Sequence, residues 1–530
     1  MTHTADVIVA GAGHNSLICA AYLARAGREV LVLDARPVPG GGAATEELLG
    51  PGYLIDSCST GHTLIQANPL LARDELGLLG EQGLEYLEPD PVAHVAFPDG
   101  EQLTMWLDVE RTVEEIARFS RADAAQYRRL LASYDAVKGA FGRSRFSPVG
   151  TAPPLTEMLD PVWQRRNALS AWEVVRHEFE SRHVQAFLLW QAFQTLVSVD
   201  LPGSGALAYS IVYGRQQRSW TLPRGGSGRL TDALVRVIEG EGGTVVCDRL
   251  VTRLLLERGR CVGVETSDGE RWMAREAVVS TIHVKHLLDM APTEVWPESF
   301  RYGVETFDVG IPAFVVYLAA AAPPTFAAPH GPRSAVSAGL AGWPEDLVRA
   351  CREFRDGRFV PETPWLLVAT PTLVDADRAP PGHHTVKLIT PQGSSPPPGF
   401  DDWRDARESY AATLLRSLRR FAPEFTDDVI LASLVRSPPD IEAANAHMIG
   451  GTFHGGDRGI PFSGALRPAP GWAQHRMPIP GLYQTGGTTH PGGSITGAPG
   501  RNAAIVVLED LGTSLEEVLR GAGRPRAGRH

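Results

Sequence analysis

Lysine is nearly missing from this chain of 530 residues; Lys138, Lys285 and Lys387 are the only three. No basic run is interleaved with aromatic residues, and the formal net charge is -11. The electrostatic footprint of a nucleic-acid binder is therefore absent, and nucleic acid is not expected as a partner. Cysteine is scarce too. Cys19, Cys58, Cys247, Cys261 and Cys351 lie far apart with no C-x-x-C pair. That pattern argues against a disulfide framework or a zinc site and points to a reducing, cytoplasmic compartment; no metal is expected. No long apolar run occurs, so no membrane-crossing helix is expected, while peripheral membrane contact stays open. The first strand is expected to begin by Asp6, which leaves no room for a signal peptide. No internal repeat is visible. What the chain does have is length for two or three domains and, at 43% apolar residues, material for a large core.

Residues 6–44, DVIVAGAGHNSLICAAYLARAGREVLVLDARPVPGGGAA, carry the densest pattern. Residues 7–9 read as a buried parallel strand, and Gly11 and Gly13 as a tight turn. A helix follows with Leu17, Ala20, Ala21 and Ala24 on its buried face, stopped by Gly27. A second strand, residues 30–33, ends in Asp34. This is the fingerprint of a dinucleotide site. Gly11 permits the turn, and Gly13 lets backbone approach a pyrophosphate. The helix start offers unpaired N–H groups and a positive dipole end to the anion. An acid at position 34 accepts hydrogen bonds from ribose hydroxyls. Ser16 holds the third glycine position of G-x-G-x-x-G and is small enough for close helix–strand packing.

Gly40, Gly41 and Gly42 then decide between nicotinamide and flavin. An acid followed by a second glycine-rich loop resembles flavoproteins of the phytoene desaturase and amine oxidase superfamily, where that loop wraps the FAD diphosphate. Two further stretches strengthen the resemblance. Residues 223–281 open with PRGGSGRLTDAL and continue as strands with turns at 257–259 and 267–269. Near the C-terminus, LRPAPGW (466–472) precedes THPGGSITGAPGRNAA (489–504), a loop running into a helix with Pro499 near its start. Together these motifs closely resemble the phytoene desaturase-related FAD-dependent oxidoreductase family, in its pyridine nucleotide-disulfide oxidoreductase domain-containing protein 2-like branch. The absence of a second strand–GxGxxG–helix unit leaves no separate NAD site.

The resemblance implies an α/β fold: a Rossmann-like FAD-binding domain interleaved with an α+β substrate domain. The expected division is 1–90, 222–290 and 466–515 for FAD, 91–221 and 291–465 for substrate with a helical cap, and 516–530 as a disordered tail. FAD is expected to be held by Gly11, Gly13, His14, Asn15, Ser16, Asp34, Ala35, Arg36, Gly41, Gly42 and Ala43. The resemblance adds Leu250 and Val251 at the adenine, and Gly486, Gly487, Gly493, Ser494, Ile495 and Thr496 near the flavin ring. A helix start aimed at that ring would stabilise the negative charge that collects there on hydride uptake.

For the reaction, the resemblance implies dehydrogenation or rearrangement of C–C bonds in apolar, often isoprenoid-like, small molecules. Such chemistry rests on positioning and a dry pocket more than on a base. His490, His454 and His62 are the candidate catalytic residues, with Tyr213 and Arg467 as further polar helpers. Phe187, Leu188, Trp190 and Phe193 form an apolar helical stripe that reads either as core or as the lining of a substrate channel. Three alternatives stay open: an amine or amino-acid oxidase on the same fold, with Lys387 as its lysine, a redox-neutral flavin-dependent isomerase, and a flavin-loaded binding protein.

Overall fold

The computed structural model describes residues 2–327 and 334–521. Two seven-stranded sheets organise it. The first carries Val251–Glu257, Arg260–Thr266, Arg271–Ser280, Thr2–Ala10, Val30–Leu33 and Thr244–Val246 in that spatial order, with Leu482–Gln484 also paired to Arg271–Ser280. Thr2–Ala10 lies between two parallel neighbours, Arg271–Ser280 and Val30–Leu33. Both its faces are covered, which is why VIVA reads as an unbroken apolar run. The strands from 251 to 280 form an antiparallel meander, with the turns where the glycines predict them.

Two helices cover one face of this sheet, His14–Arg25 and Ala498–Asp510. Both are rich in small residues, so they approach closely. A Cβ at Gly500 would strike the backbone oxygen of Asn15, and the Gly500 N–H donates to Asn15 Oδ1 at 3.3 Å. Residues near the starts of the two helices thus touch, so the starts are neighbours. From residue 516 the outcome differs from the expected tail. Leu515–Gly521 is a helix, because Leu515 and Val518 bury against this same core. Residues 522–530 lie outside the described residues.

The second sheet runs Ile430–Arg436, Ala313–Ala320, His384–Pro391, Trp365–Ala369, Ser337–Ala341, Ala93–Ala96 and Gln102–Met105. Its two faces are sorted by the two-residue strand period. Leu366, Val368 and Leu388 pack under the helix Trp403–Arg419. Trp365, Leu367 and Ile389 face the other way, towards the helices Arg182–Ala192 and Leu207–Arg218. The stripe of Phe187, Leu188, Trp190 and Phe193 is fully buried in that second core, and none of the four lines the cavity described below.

Candidate functional site

The parallel strands of the first sheet end at one edge. Gly11, Asp34, Thr281 and Gly486 follow Thr2–Ala10, Val30–Leu33, Arg271–Ser280 and Leu482–Gln484, and all four residues line one cavity. Ligands of open α/β sheets sit at this carboxyl edge. The cavity measures about 630 Å³ and runs on from there to the second sheet, reaching Trp365, Leu367, Lys387 and Ile389. The start of His14–Arg25 stands at its near end, where His14 and Asn15 line it.

The near end is built from backbone. Gly13 and Gly40 pair as a parallel bridge, and the Gly40 N–H donates to Ala12 O at 2.7 Å. Gly41 has φ +58°, and a Cβ there would lie 3.1 Å from Gly13 Cα. The two glycine loops therefore touch, leaving their amides at the cavity wall. Asp34 accepts from the Ala12 N–H at 2.6 Å and the Arg36 N–H at 2.8 Å. Burial raises its carboxyl above the usual range, and the two amides oppose that rise. Arg36 is not a free loop arginine; it pairs with Glu46 at 2.8 Å while lining the cavity.

Of the residues expected at the cofactor, Gly11, Gly13, His14, Asn15, Asp34, Ala35, Arg36, Gly41, Gly42, Leu250, Val251, Gly486, Gly487, Gly493, Ser494 and Ile495 line the cavity. Ser16, Ala43 and Thr496 stand behind the wall and brace it. Ser16 Oγ donates to Gly11 O at 2.5 Å and Gly13 O at 2.9 Å. The Ala43 N–H donates to Gly40 O at 2.9 Å, and Thr496 O accepts from Asn68 Nδ2 at 2.8 Å.

The three candidate histidines part company. His454 lines the cavity, and its buried Nδ1 has no hydrogen-bond partner. His490 and His62 do not line it. His490 Nε2 donates to Ser144 O at 2.8 Å. His62 bonds Ser227 Oγ at 2.6 Å and Tyr86 Oη at 3.3 Å, deep between the two sheets. Tyr213 binds Asp135 and Lys138 at an exposed site, and buried Arg467 is spent on the carbonyls of Gly455, Asp457, Phe462 and Gly487. None of these serves the cavity directly. Adjacency in sequence to a glycine loop misleads here, because the loop turns His490 outward.

Residues that were not singled out by pattern complete the lining. Gln194, Thr195, Leu196, Ile211, Arg215 and Trp220 come from the helical cap and Phe453 from a loop; His283 and His447, with ring centroids 5.4 Å apart, come from loops beside Thr281 at the near end. Lys387 and Ile389, two residues apart on the strand His384–Pro391, share one face of it. Burial draws His14 and His447 down to about 4 and His454 to about 3, so all three are neutral at ordinary pH. Imidazoles so shifted are weak bases. Burial also draws Lys387 down to about 8, against the pull of Asp56. Its Nζ donates to Asp56 O at 3.1 Å, Cys58 O at 2.7 Å and Thr60 Oγ1 at 2.7 Å, using all three N–H groups.

Residues 17–313 match the family model for flavin-containing amine oxidoreductases. The chain belongs to that family. As a member of the flavin-containing amine oxidoreductases it is an FAD-dependent oxidoreductase. It is 28% identical to the pyridine nucleotide-disulfide oxidoreductase domain-containing protein 2 of Mus musculus over 556 residues, covering 96% of this chain and 94% of that one. It is 28% identical to one of the subunits of limonene dehydrogenase from Castellaniella defragrans over 535 residues, with 96% and 95% covered. Bacterial phytoene desaturases match as well. Among solved structures, cyclohexylamine oxidase from Brevibacterium oxydans shares the fold, at a TM-score of 0.57 and 17% identity over 96% of this chain and 99% of that one. The expected α/β flavoprotein fold and kinship with phytoene desaturases therefore hold. Among the described residues no helix is long and apolar enough to cross a membrane, and no cluster of His, Cys, Asp and Glu is arranged to hold a metal.

Proposed function

We propose that the chain dehydrogenates a C–C bond of an apolar organic substrate, isoprenoid-like in character, held at the far end of the cavity. One observation carries this reading. The far wall is Leu196, Ile211, Trp220, Trp365, Leu367, Ile389 and Phe453, and no carboxylate faces it among the described residues. The acids of the lining are Asp34 at the nucleotide end and Asp289, beside Met290, whose carbonyl accepts from the Leu254 N–H near the proposed adenine site. The named substrates of the limonene dehydrogenase and phytoene desaturase relatives agree with it.

The near end suits FAD. At the touching glycine loops a Cβ at 41 would crowd Gly13 Cα, and the start of His14–Arg25, where His14 and Asn15 line the cavity, presents N–H groups and a positive dipole end to a diphosphate. We assign Gly11, Gly13, His14, Asn15, Gly41 and Gly42 to the diphosphate, Asp34 to the ribose, Leu250 and Val251 to the adenine, and Gly486, Gly487, Gly493, Ser494 and Ile495 to the ring. The same reading gives residues 1–90, 222–290 and 466–515 to the cofactor, since every strand of the first sheet falls in them. FAD, when bound, supplies a hydride acceptor. The chain's own part is to exclude water with aromatic walls and to keep its imidazoles uncharged. His454 is the one candidate histidine placed to meet a substrate.

The test is anaerobic mixing of the holoenzyme with a panel of terpenoid hydrocarbons and alcohols. Bleaching of the flavin band and a product lighter by two hydrogens are expected. No bleaching across the panel would sink the proposal.

Lys387 supports a competing reading, amine oxidation, because it is a lysine in the cavity wall. Against it, an ammonium substrate would face Lys387 and Arg215, two cations, with no carboxylate opposite. Turnover that survives Lys387→Met would remove that reading.

A further inference from the structure

Among the described residues four lysine or arginine side chains line the cavity, and three either face a carboxylate or use every donor they have. Arg36 pairs with Glu46, Arg249 with Asp268 and Glu270, and Lys387 spends its three N–H groups. Arg215 is different. It is 2% exposed, on the helix Leu207–Arg218, and its Nη1 donates to Gln191 Oε1. Among the described residues no carboxylate pairs with it and no acceptor meets Nε or Nη2. Its remaining neighbours are the rings of Trp190 and Trp220, 5.8 and 5.9 Å from the guanidinium carbon. Such distances lie near the outer limit of cation–π attraction and do not replace a counter-ion. A buried cation without a partner is costly, whereas one that receives an anion from outside is a binding device.

A second observation lies one helical turn from Gln191. Thr195 Oγ1 and Gln194 Nε2 are both buried without a hydrogen-bond partner, and both residues line the cavity. Thr195 follows Gln191 by four positions, which puts the two on one side of the helical segment.

We infer that Arg215 anchors the carboxylate of an apolar monocarboxylic acid, with Thr195 and Gln194 as flanking donors. The inference rests on the far end of the cavity being the substrate site, and it narrows the substrate from apolar to amphipathic. The free Nε–Nη2 edge presents two parallel N–H groups, the geometry a carboxylate accepts in pairs. A phosphate would bring up to two negative charges against one cation in an aromatic wall, so the carboxylate is the better match. Burial lowers the guanidinium to about 9, which leaves it charged at neutral pH.

The probes are decanoate, 1-decanol and methyl decanoate, titrated into the holoenzyme at neutral pH and read by perturbation of the flavin absorbance. Decanoate is expected to bind on the order of tenfold tighter than the two neutral probes. Arg215→Met should abolish that preference while leaving decanol affinity and flavin content unchanged. Equal binding of all three by the wild-type protein, or a preference that survives Arg215→Met, overturns the anchor. Should Arg215→Met not fold, Thr195→Val takes its place: a reduced preference supports the anchor and an unchanged one overturns it. If no probe binds at all, the reading of this end as an apolar substrate site falls, and the anchor falls with it.

Discussion

At the nucleotide end the cavity wall is backbone; at the far end it is side chain. Gly11, Gly13 and Gly41 contribute empty space where backbone can approach, and a Cβ at 41 would lie 3.1 Å from Gly13 Cα. Trp365, Trp220, Leu367 and Ile389 contribute bulk, drawn from two strands and from a loop well over a hundred residues away in sequence. A diphosphate is recognised by the dipoles and N–H groups that every residue carries, so the demand on sequence is for residues that stay out of the way. An apolar substrate is recognised by shape, so the demand is for volume at the right place. The two ends should therefore fail in opposite ways, one when side chains are added and the other when they are removed.

Removal at the far end gives the largest expected effect. Trp365 is 2% exposed, stacks on Trp190 with centroids 5.8 Å apart, and donates from Nε1 to Trp190 O at 2.9 Å. Trp365→Ala should cost about 3–5 kcal/mol, read as a fall in the urea midpoint of the transition that reports this core. Flavin per folded molecule should stay near wild type. Loss of flavin equal to loss of stability would show that the two ends are not separable. Addition at the near end comes next. Gly41→Val places a branched side chain at φ +58° against Gly13. The strain of about 1–3 kcal/mol should appear in FAD retention, on the order of tenfold to a hundredfold, with little change in the fold of the apoprotein.

The same contrast explains what could be read from sequence. The near end was legible because backbone recognition fixes glycines at short spacings: residues 11–16, 40–42 and 486–497 are each one continuous stretch of chain. Even Ser16, outside the glycine pattern, was legible as a small residue. The far end was not, because Thr195, Arg215, Trp365, Lys387 and Phe453 meet only through the fold, and no spacing links them. Lys387 and Ile389 share one face of the strand His384–Pro391, but nothing local says that this face looks into a cavity. The candidate histidines show the limit most clearly. His490 sits beside a flavin-loop glycine in sequence yet points to Ser144, while His447, in an unremarkable stretch, lines the cavity.

Acidification tests whether the two regions differ in more than recognition. His94, in the second sheet, bonds Gln102 and Thr104, and His475, beside the first, donates from Nδ1 to Gln484 O at 2.9 Å. Burial lowers both to about 4. Their unfolded value near 6.5 is higher, so the unfolded chain binds protons first as pH falls. Stability should be intact at neutrality and decline from about pH 6.5 to about pH 4, by about 2 kcal/mol per histidine at pH 5. His94→Gln and His475→Gln should each flatten that decline to a similar degree. A slope that only one of them carries would mean that burial, and not only ligand recognition, separates the regions.

Ser16 gives the smallest effect and the sharpest exception. It is a side chain at the end built from backbone, yet its single O–H is shared between Gly11 O and Gly13 O across the turn proposed to hold the diphosphate. Ser16→Ala keeps the helix and removes the tie. The expected cost is about 1 kcal/mol, roughly fivefold in FAD affinity. Ser16→Gly restores the ordinary third glycine but loses both the tie and about 1 kcal/mol of helix propensity. It should therefore bind FAD less well than Ser16→Ala, measured by flavin release on dilution. If Ser16→Gly instead binds as tightly as wild type, the hydroxyl contributes nothing, and the near end is backbone without exception.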